Sequence, residues 1–479
     1  MTDPLSEADA VRERVADAGQ AHVFRFWDDL SDDGRRRLLS QLAEVDFAQL
    51  QGLVETHVLH PTPPGVPADI EPAPYIPLPE TDAQREERRR IHDRGAQLLS
   101  DGKVAAFTVA GGQGTRLGYD GPKGAFPVGP VSGRPLFQVF AEGIRAARET
   151  AGAAIPWYVM TSEANDEATR AFFAEHDRFG LPEGDVRFFR QGMMPAVDFQ
   201  GRLILQAPDR IARSPDGHGG SLLALSRSGM LADMADRGID HISYFQVDNP
   251  LVPPVDPVFL GYHAERGSEI SSKMARKRDP GEKLGVFCVA GGNLKVIEYS
   301  DLPDHLAEAR DDDGRLRFEA GSIAIHAIAR TFVEGLAAGT TFGLPFHRAE
   351  KKIPYCDDDG HTVTPDEPNG VKFEMFVFDA LPMAENPIVL EIDRSREFSP
   401  VKNAEGEDSP ATARRDMVRL AARMLDEAGV DVPRDDDGEP AVAVEISPLA
   451  ARSAGELEAV CEKRGITEIT EDTYIGPEA

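Results

Sequence analysis

Residues 104–108 form a short apolar run after the turn signal Asp101-Gly102, and the run empties into Val109-Ala110-Gly111-Gly112-Gln113-Gly114-Thr115-Arg116-Leu117-Gly118. A run of that length bounded by a turn reads as a buried strand. A strand opening into a glycine-rich loop brings backbone N–H groups close to an anion, where side chains would block the approach. Pro122-Lys123-Gly124 follows, so Arg116 and Lys123 add fixed positive charge within the same short segment. The pattern predicts a grip for a triphosphate. It is not a Walker A loop, because no Ser or Thr follows Lys123, and it is not the dinucleotide fingerprint, because Leu117 stands where the third glycine belongs.

From about residue 103 to 400, apolar strands alternate with helical patterns, which predicts an α/β fold with a mostly parallel sheet. Strands are expected at 155–160, 186–190, 239–247, 269–274, 286–289 and 295–297, with helices at 166–176 and 222–236. Residues 7–57 read as helical: Val23, Phe24, Phe26, Trp27 and Leu30, then Leu38, Leu39 and Leu42, recur at helical spacing. Eight prolines between His60 and Glu80 make a connector that cannot be a helix, and a polar helix at 81–99 leads into the first strand. A helix at 412–428 and a strand at 441–446 follow Ser399. The expected division is an N-terminal helical segment (1–100), a central domain (101–400) and a small C-terminal α+β domain (401–479).

The formal net charge of −30 argues against a nucleic-acid partner, since a polyanion would be repelled. A phosphate site in such a chain must be made locally, by a few cations together with Mg²⁺. No run of 18 apolar residues exists to span a membrane, and the first seven residues lack a basic and an apolar region of a signal peptide. Three widely spaced cysteines match neither a disulfide framework nor a zinc pattern. The expected compartment is the cytoplasm.

Phe245-Gln246-Val247-Asp248-Asn249-Pro250 is a strand ending in an acid. In open parallel sheets ligands sit beyond the carboxyl ends of strands, where Asp248 can hold Mg²⁺ or a ribose hydroxyl. Gln191, in a loop with Gly192, has an amide that donates and accepts at once, as the imide edge of uracil requires, and Gly217 would let backbone approach the ring. Lys351, Lys352, Lys372 and Lys402 lie in segments whose sign opposes the overall balance.

These motifs resemble, in order, the blocks of the UDP-N-acetylglucosamine pyrophosphorylases within the wider UDP-sugar pyrophosphorylase family. The resemblance runs from about Ala21 to Ile475 and rests on the 111–124 loop, Gln191-Gly192-Met193-Met194-Pro195, Pro215-Asp216-Gly217-His218-Gly219-Gly220, Val247-Asp248-Asn249, Glu298-Tyr299-Ser300, Lys351-Lys352-Ile353-Pro354-Tyr355, Asn369-Gly370-Val371-Lys372 and Phe398-Ser399-Pro400-Val401-Lys402-Asn403. It implies a Rossmann-like, GT-A-like nucleotidyltransferase domain that converts UTP and a sugar 1-phosphate to UDP-sugar and pyrophosphate. N-acetylglucosamine 1-phosphate is the implied sugar, and a glucose or galactose enzyme of broad specificity is the alternative. It also implies roles. Arg116 and Lys123, with the loop residues Val109, Ala110, Gly111, Gly112, Gly114 and Thr115, hold the β- and γ-phosphates. Lys402 and Lys372 stabilise the reacting phosphates, Asp248 positions Mg²⁺, and Gln191 with Gly217 selects uracil. Glu298 and His218 touch the sugar, with Gly285 and Ser322 at the matching nearby positions. His218 and Ser322 each stand where the family has Asn. Two other readings, a nicotinamide-dependent dehydrogenase and a non-catalytic nucleotide-sugar sensor, compete; the missing third glycine disfavours the first.

Overall fold

The apolar run forms strand β1 (Val104–Val109), five of whose six residues are buried. In the computed structural model, which describes residues 5, 8–61, 65–67, 69–339 and 342–477, β1 lies inside a ten-stranded sheet. The further strands used below are β2 (Trp157–Thr161), β3 (Val186–Arg190), β4 (His241–Gln246), β5 (Ile270–Arg276), β6 (Val286–Ala290), β7 (Asn293–Ile297), β8 (Ala320–Ala329) and β9 (Ile388–Glu391). The order β6-β8-β4-β1-β2-β3 has a parallel heart, β4-β1-β2-β3, and β5 pairs in parallel with β9. Strand β8 runs antiparallel to β4, β5 and β6. Strands covered on both faces have no solvent side to alternate with, which is why they read as continuous apolar runs. Since the chain passes from β1 outward to β2 and β3 and then returns to the other side of β1 with β4, the carboxyl ends of β1 and β4 flank a topological switch point.

The chain forms two compact units, each assembled from three stretches: 1–65, 191–223 and 343–379 in one, and 66–190, 224–342 and 380–479 in the other. The boundaries expected along the sequence are linear, whereas these units interleave. In the first, helices Ala8–Asp17, Asp32–Ala43 and Phe47–Leu53 turn Val15, Leu38, Leu39, Leu42 and Leu50 onto Val197, Leu203, Val371 and Phe373. Ser31 and Asp46 cap the second and third helices by accepting from the N–H of Gly34 and Gln49. The expected helix at 21–30 is instead two 3₁₀ turns, Ala21–Phe24 and Trp27–Asp29, around an edge-on contact of the Phe24 and Trp27 rings at 5.6 Å.

In the second unit the polar helix Asp82–Ser100 begins at a capping box between Thr81 and Gln84 and packs on the helix Pro257–Glu265. The expected helix at 222–236 breaks into Gly220–Arg227 and Met230–Asp236, because Gly229 takes φ +78° between them. The C-terminal stretch has its own small core of Ala422, Leu425, Val444 and Leu457 between the helices Pro410–Glu427 and Ala454–Arg464. Pro63, Pro64 and the residues read for a signal peptide, apart from Leu5, lie outside the described residues. Among the described residues no helix is long and apolar enough to cross a membrane, and the three cysteines are free and buried.

One buried histidine sets a pH dependence. His263 is fully buried; Nδ1 lies 2.8 Å from the Ser271 hydroxyl, and Nε2 has no hydrogen-bond partner among the described residues. Burial, with a smaller contribution from nearby His241, lowers its pKa from 6.5 to about 3. Above pH 6.5 the ring is neutral in both folded and unfolded chains. Between about 6.5 and 3 only the unfolded chain takes up the proton, so stability falls with pH, by on the order of a few kcal/mol over the window. Urea unfolding at stepped pH should show this slope in the wild type and a shallower one in His263→Gln. Equal slopes would remove His263 from the acid response.

Candidate active site

The loop after β1 and the acid after β4 come together because their strands are neighbours, with Val109 opposite Gln246. In open α/β sheets ligands sit beyond that edge, at the switch point. Lys123 Nζ lies 3.9 Å from Asp248 Oδ2 and donates to the Val401 carbonyl at 3.3 Å; the Lys123 and Asp248 side chains are both about 15% exposed. The Val401 N–H in turn donates to the Asp248 carbonyl at 2.8 Å. Lys402 follows directly, its ammonium 3.5 Å from Asp408 and over the Phe398 ring. The structure thus assembles Lys123, Asp248 and the Lys402 segment from three distant parts of the sequence.

Within the loop, Ala110 and Gly114 are buried, Gly111 and Gln113 are half-buried, and Gly112, Thr115 and Arg116 are exposed. The N–H groups of Gly111, Gly112 and Gln113 have no acceptor among the described residues, and Arg116 has no ionic partner there. A Cβ on Gly112 would meet no protein atom within 4 Å, so packing does not demand glycine there. Gly114 differs: a Cβ would approach the Tyr119 ring at 2.8 Å. Unpaired amides and an unpaired guanidinium at the end of a buried strand are chemically suited to receive an anion.

In the same unit, Gly285, Glu298 and Ser322 also meet. The Ser322 N–H donates to the Gly285 carbonyl at 2.8 Å, and a Cβ on Gly285 would lie 3.1 Å from Glu298 Oε1. The close turn before β6 therefore accommodates the carboxylate that follows β7.

The other predicted residues belong to the first unit. Gln191 donates both amide hydrogens within the protein, to Asp216 Oδ1 at 2.9 Å and to the Gly217 carbonyl at 2.6 Å. This corrects the reading of Gln191 as donor and acceptor toward a base: only Oε1 is left, as an acceptor. Gly217 takes φ +84°, and a Cβ there would lie 2.3 Å from the Met375 carbonyl, so no other residue fits. Its N–H has no acceptor among the described residues. His218 Nδ1 accepts from the Val377 N–H at 3.2 Å, between the Phe376 and Phe378 rings. Burial, and then the neighbouring His347, pushes its pKa down to about 4, so the ring is neutral at pH 7 and carries its proton on Nε2. Lys372 is half-buried in the strand Gly370–Glu374, with its ammonium unpaired among the described residues.

Sequence reasoning missed Ser162 and Asn165, which fasten the loop from the turn after β2. A Ser-x-x-Asn following an apolar strand was the available signal. A cavity of about 770 Å³ elsewhere in the second unit, bordered by Glu142, Pro254, Met424 and Ser447, contains none of the predicted residues.

A doubly wound sheet with a glycine-rich loop and an acid at its switch point is the architecture of nucleotide-handling α/β enzymes of the nucleotidyltransferase class. The family model described as UTP–glucose-1-phosphate uridylyltransferase matches residues 70–409. The chain is 39% identical to human UDP-N-acetylhexosamine pyrophosphorylase-like protein 1, over 96% of each chain. It is 37% identical to UDP-N-acetylglucosamine diphosphorylase 1 of Arabidopsis thaliana, over 96% of this chain and 92% of that one. The crystal structure of the uridine diphosphate N-acetylglucosamine pyrophosphorylase from Trypanosoma brucei, solved with an inhibitor, superposes with a TM-score of 0.82 at 27% identity, over 100% of this chain and 99% of that one. The chain belongs to the UTP–glucose-1-phosphate uridylyltransferase family. It is a nucleotidyltransferase of the pyrophosphorylase type.

Proposed function

We propose that this enzyme joins UTP to N-acetylglucosamine 1-phosphate, releasing pyrophosphate, and does so in the cytoplasm. The observation that carries the reading is the juxtaposition of the unpaired loop amides, Lys123, Asp248 and the Lys402 segment at the ends of β1 and β4. Relatives named for UDP-N-acetylglucosamine favour that sugar over glucose or galactose. Three free, buried cysteines suit a reducing compartment.

The nucleophile is an oxygen of the sugar phosphate, which already carries about −1.5 to −2 charge at pH 7, so no general base is required. It attacks the α-phosphorus of UTP in line; the new O–P bond forms as the bond to the β-phosphate oxygen breaks, and pyrophosphate leaves with that electron pair. Catalysis is positioning and charge neutralisation. The amides of 111–113, Arg116 and Lys123 grip the β- and γ-phosphates, and Lys402 meets the charge that grows on the reacting ones; in the first unit, Lys372 is assigned a phosphate contact. Gln191 Oε1 accepts from the uracil N3–H, and the Gly217 N–H donates to a ring carbonyl. In the second unit Glu298 offers its oxygens to the sugar beside Gly285 and Ser322; in the first unit neutral His218 has an Nε2–H to donate.

Magnesium fits the donor set. Mg²⁺ is held by one or two carboxylates plus substrate phosphates, and Asp248 supplies one carboxylate beside the loop. When bound there, the ion would neutralise phosphate charge.

Pyrophosphate release from UTP with a panel of sugar 1-phosphates tests the proposal. N-acetylglucosamine 1-phosphate should give the highest kcat/KM. A higher value for glucose or galactose 1-phosphate would replace the sugar, and no release with any of them would leave only the sensor.

A further inference from the structure

The loop that would hold the triphosphate is itself held from behind. Asn165, 1% exposed, donates through Nδ2 to the Ala110 carbonyl at 2.9 Å and to the Gly112 carbonyl at 3.1 Å. The hydroxyl of Ser162, 3% exposed, donates to the carbonyl between them, Gly111, at 2.8 Å. Asn165 is oriented in turn, because its Oδ1 accepts from the Ser162 N–H at 2.8 Å. Both residues lie in the turn between β2 and the helix Asp166–Glu175.

A trans peptide is planar, with its C=O and N–H pointing in opposite directions. Three consecutive carbonyls drawn to one side therefore turn the three following N–H groups, those of Gly111, Gly112 and Gln113, to the other. Those are the amides that lack acceptors among the described residues. A glycine-rich segment left to itself would sample many peptide orientations, and aligning them on binding would cost affinity. We infer that Asn165 and Ser162 are positioning residues that preset the loop amides for the polyphosphate of the nucleotide. The inference rests on the reading of this loop as the triphosphate grip.

The test uses the full-length protein and inorganic tripolyphosphate, a probe that has the anion and lacks base and sugar. Asn165→Asp keeps an acceptor for Ser162 but cannot donate to the two carbonyls; Ser162→Ala removes the third donor, and Ser162→Thr restores a hydroxyl. Calorimetry should show tripolyphosphate binding weakened roughly tenfold to a hundredfold in Asn165→Asp, on the scale of lost hydrogen bonds to a charged group. Ser162→Ala should weaken it less, and Ser162→Thr should recover it. KM for UTP should rise in parallel while KM for the sugar 1-phosphate stays within twofold; a purely structural role would lower melting temperature and shift both constants together. If Arg116→Ala weakens tripolyphosphate binding while Asn165→Asp and Ser162→Ala bind as wild type, the positioning role is wrong and the grip stands. If Arg116→Ala also binds as wild type, the loop is not the grip and both ideas fall. Should Asn165→Asp not fold, the Ser162 pair decides alone.

Discussion

Replacing Lys402 by alanine should lower kcat on the order of a hundredfold or more, the scale of about 2.7–4 kcal/mol seen when one preorganised electrostatic contact is removed from a transition state. The expectation comes from how its segment is tied down. Val401, the preceding residue, donates to the Asp248 carbonyl and accepts from Lys123, so the Lys402 backbone is fixed against both residues at the switch point. The ammonium is only part-exposed and rests over Phe398, with Asp408 3.5 Å away as its resting partner. Lys402→Arg should recover little, because a planar fork cannot replace a point charge at the same distance. Steady-state pyrophosphate release at saturating UTP and sugar 1-phosphate is the measurement. A turnover within threefold of wild type would take Lys402 out of the mechanism.

The second large effect is on stability. Lys273, 1% exposed in the middle of β5, pairs with Asp256 at 2.6 Å and with Glu397. Burial pushes both carboxyls up. The ammonium nevertheless holds Asp256 below the usual carboxylate range, while Glu397 stays above it. Lys273→Ala removes the ammonium that bridges the two carboxyl groups and should destabilise the fold by about 3–5 kcal/mol, the cost of stranding a buried charge. Activity should fall as well, because the Glu397 carbonyl accepts from Asn249, whose Oδ1 receives the Ser399 N–H, and so the ion cluster braces the stretch leading to Lys402. Lys273→Met with Asp256→Asn and Glu397→Gln should recover most of the stability, since the charges leave together. Urea unfolding of the single and triple variants decides: a single variant as stable as the wild type contradicts the argument.

The parts of this architecture that were legible in the sequence are those whose cause is local. β1 and β4 read as strands because burial on both faces leaves continuous apolar runs, and the loop after β1 was visible as a loop because its glycines lie close together in one short segment. The acid at 248 was legible by its place after a strand. The long strand β8 went unread: small residues and His326 dilute its apolar signal, and its antiparallel place beside β4 depends on partners far away in sequence. The meeting of Gly285, Glu298 and Ser322 is likewise a product of pairing among β6, β7 and β8. Gln191 was read with a full set of hydrogen-bonding options because nothing in its own segment reveals that Asp216 and Gly217 consume its donors. The hold of Asn165 on the loop is invisible for the same reason, since donor and acceptors are more than fifty residues apart.

The interleaved makeup of the first unit bears on how the polypeptide is born. Val371 and Phe373 belong to the same apolar cluster as Leu38, Leu42 and Leu50. At about 5–20 residues per second, a ribosome delivers them some fifteen seconds to a minute after those leucines have emerged. Throughout that interval the nascent amphipathic helices carry uncovered leucines, which makes this stretch a natural client for a holding chaperone during translation.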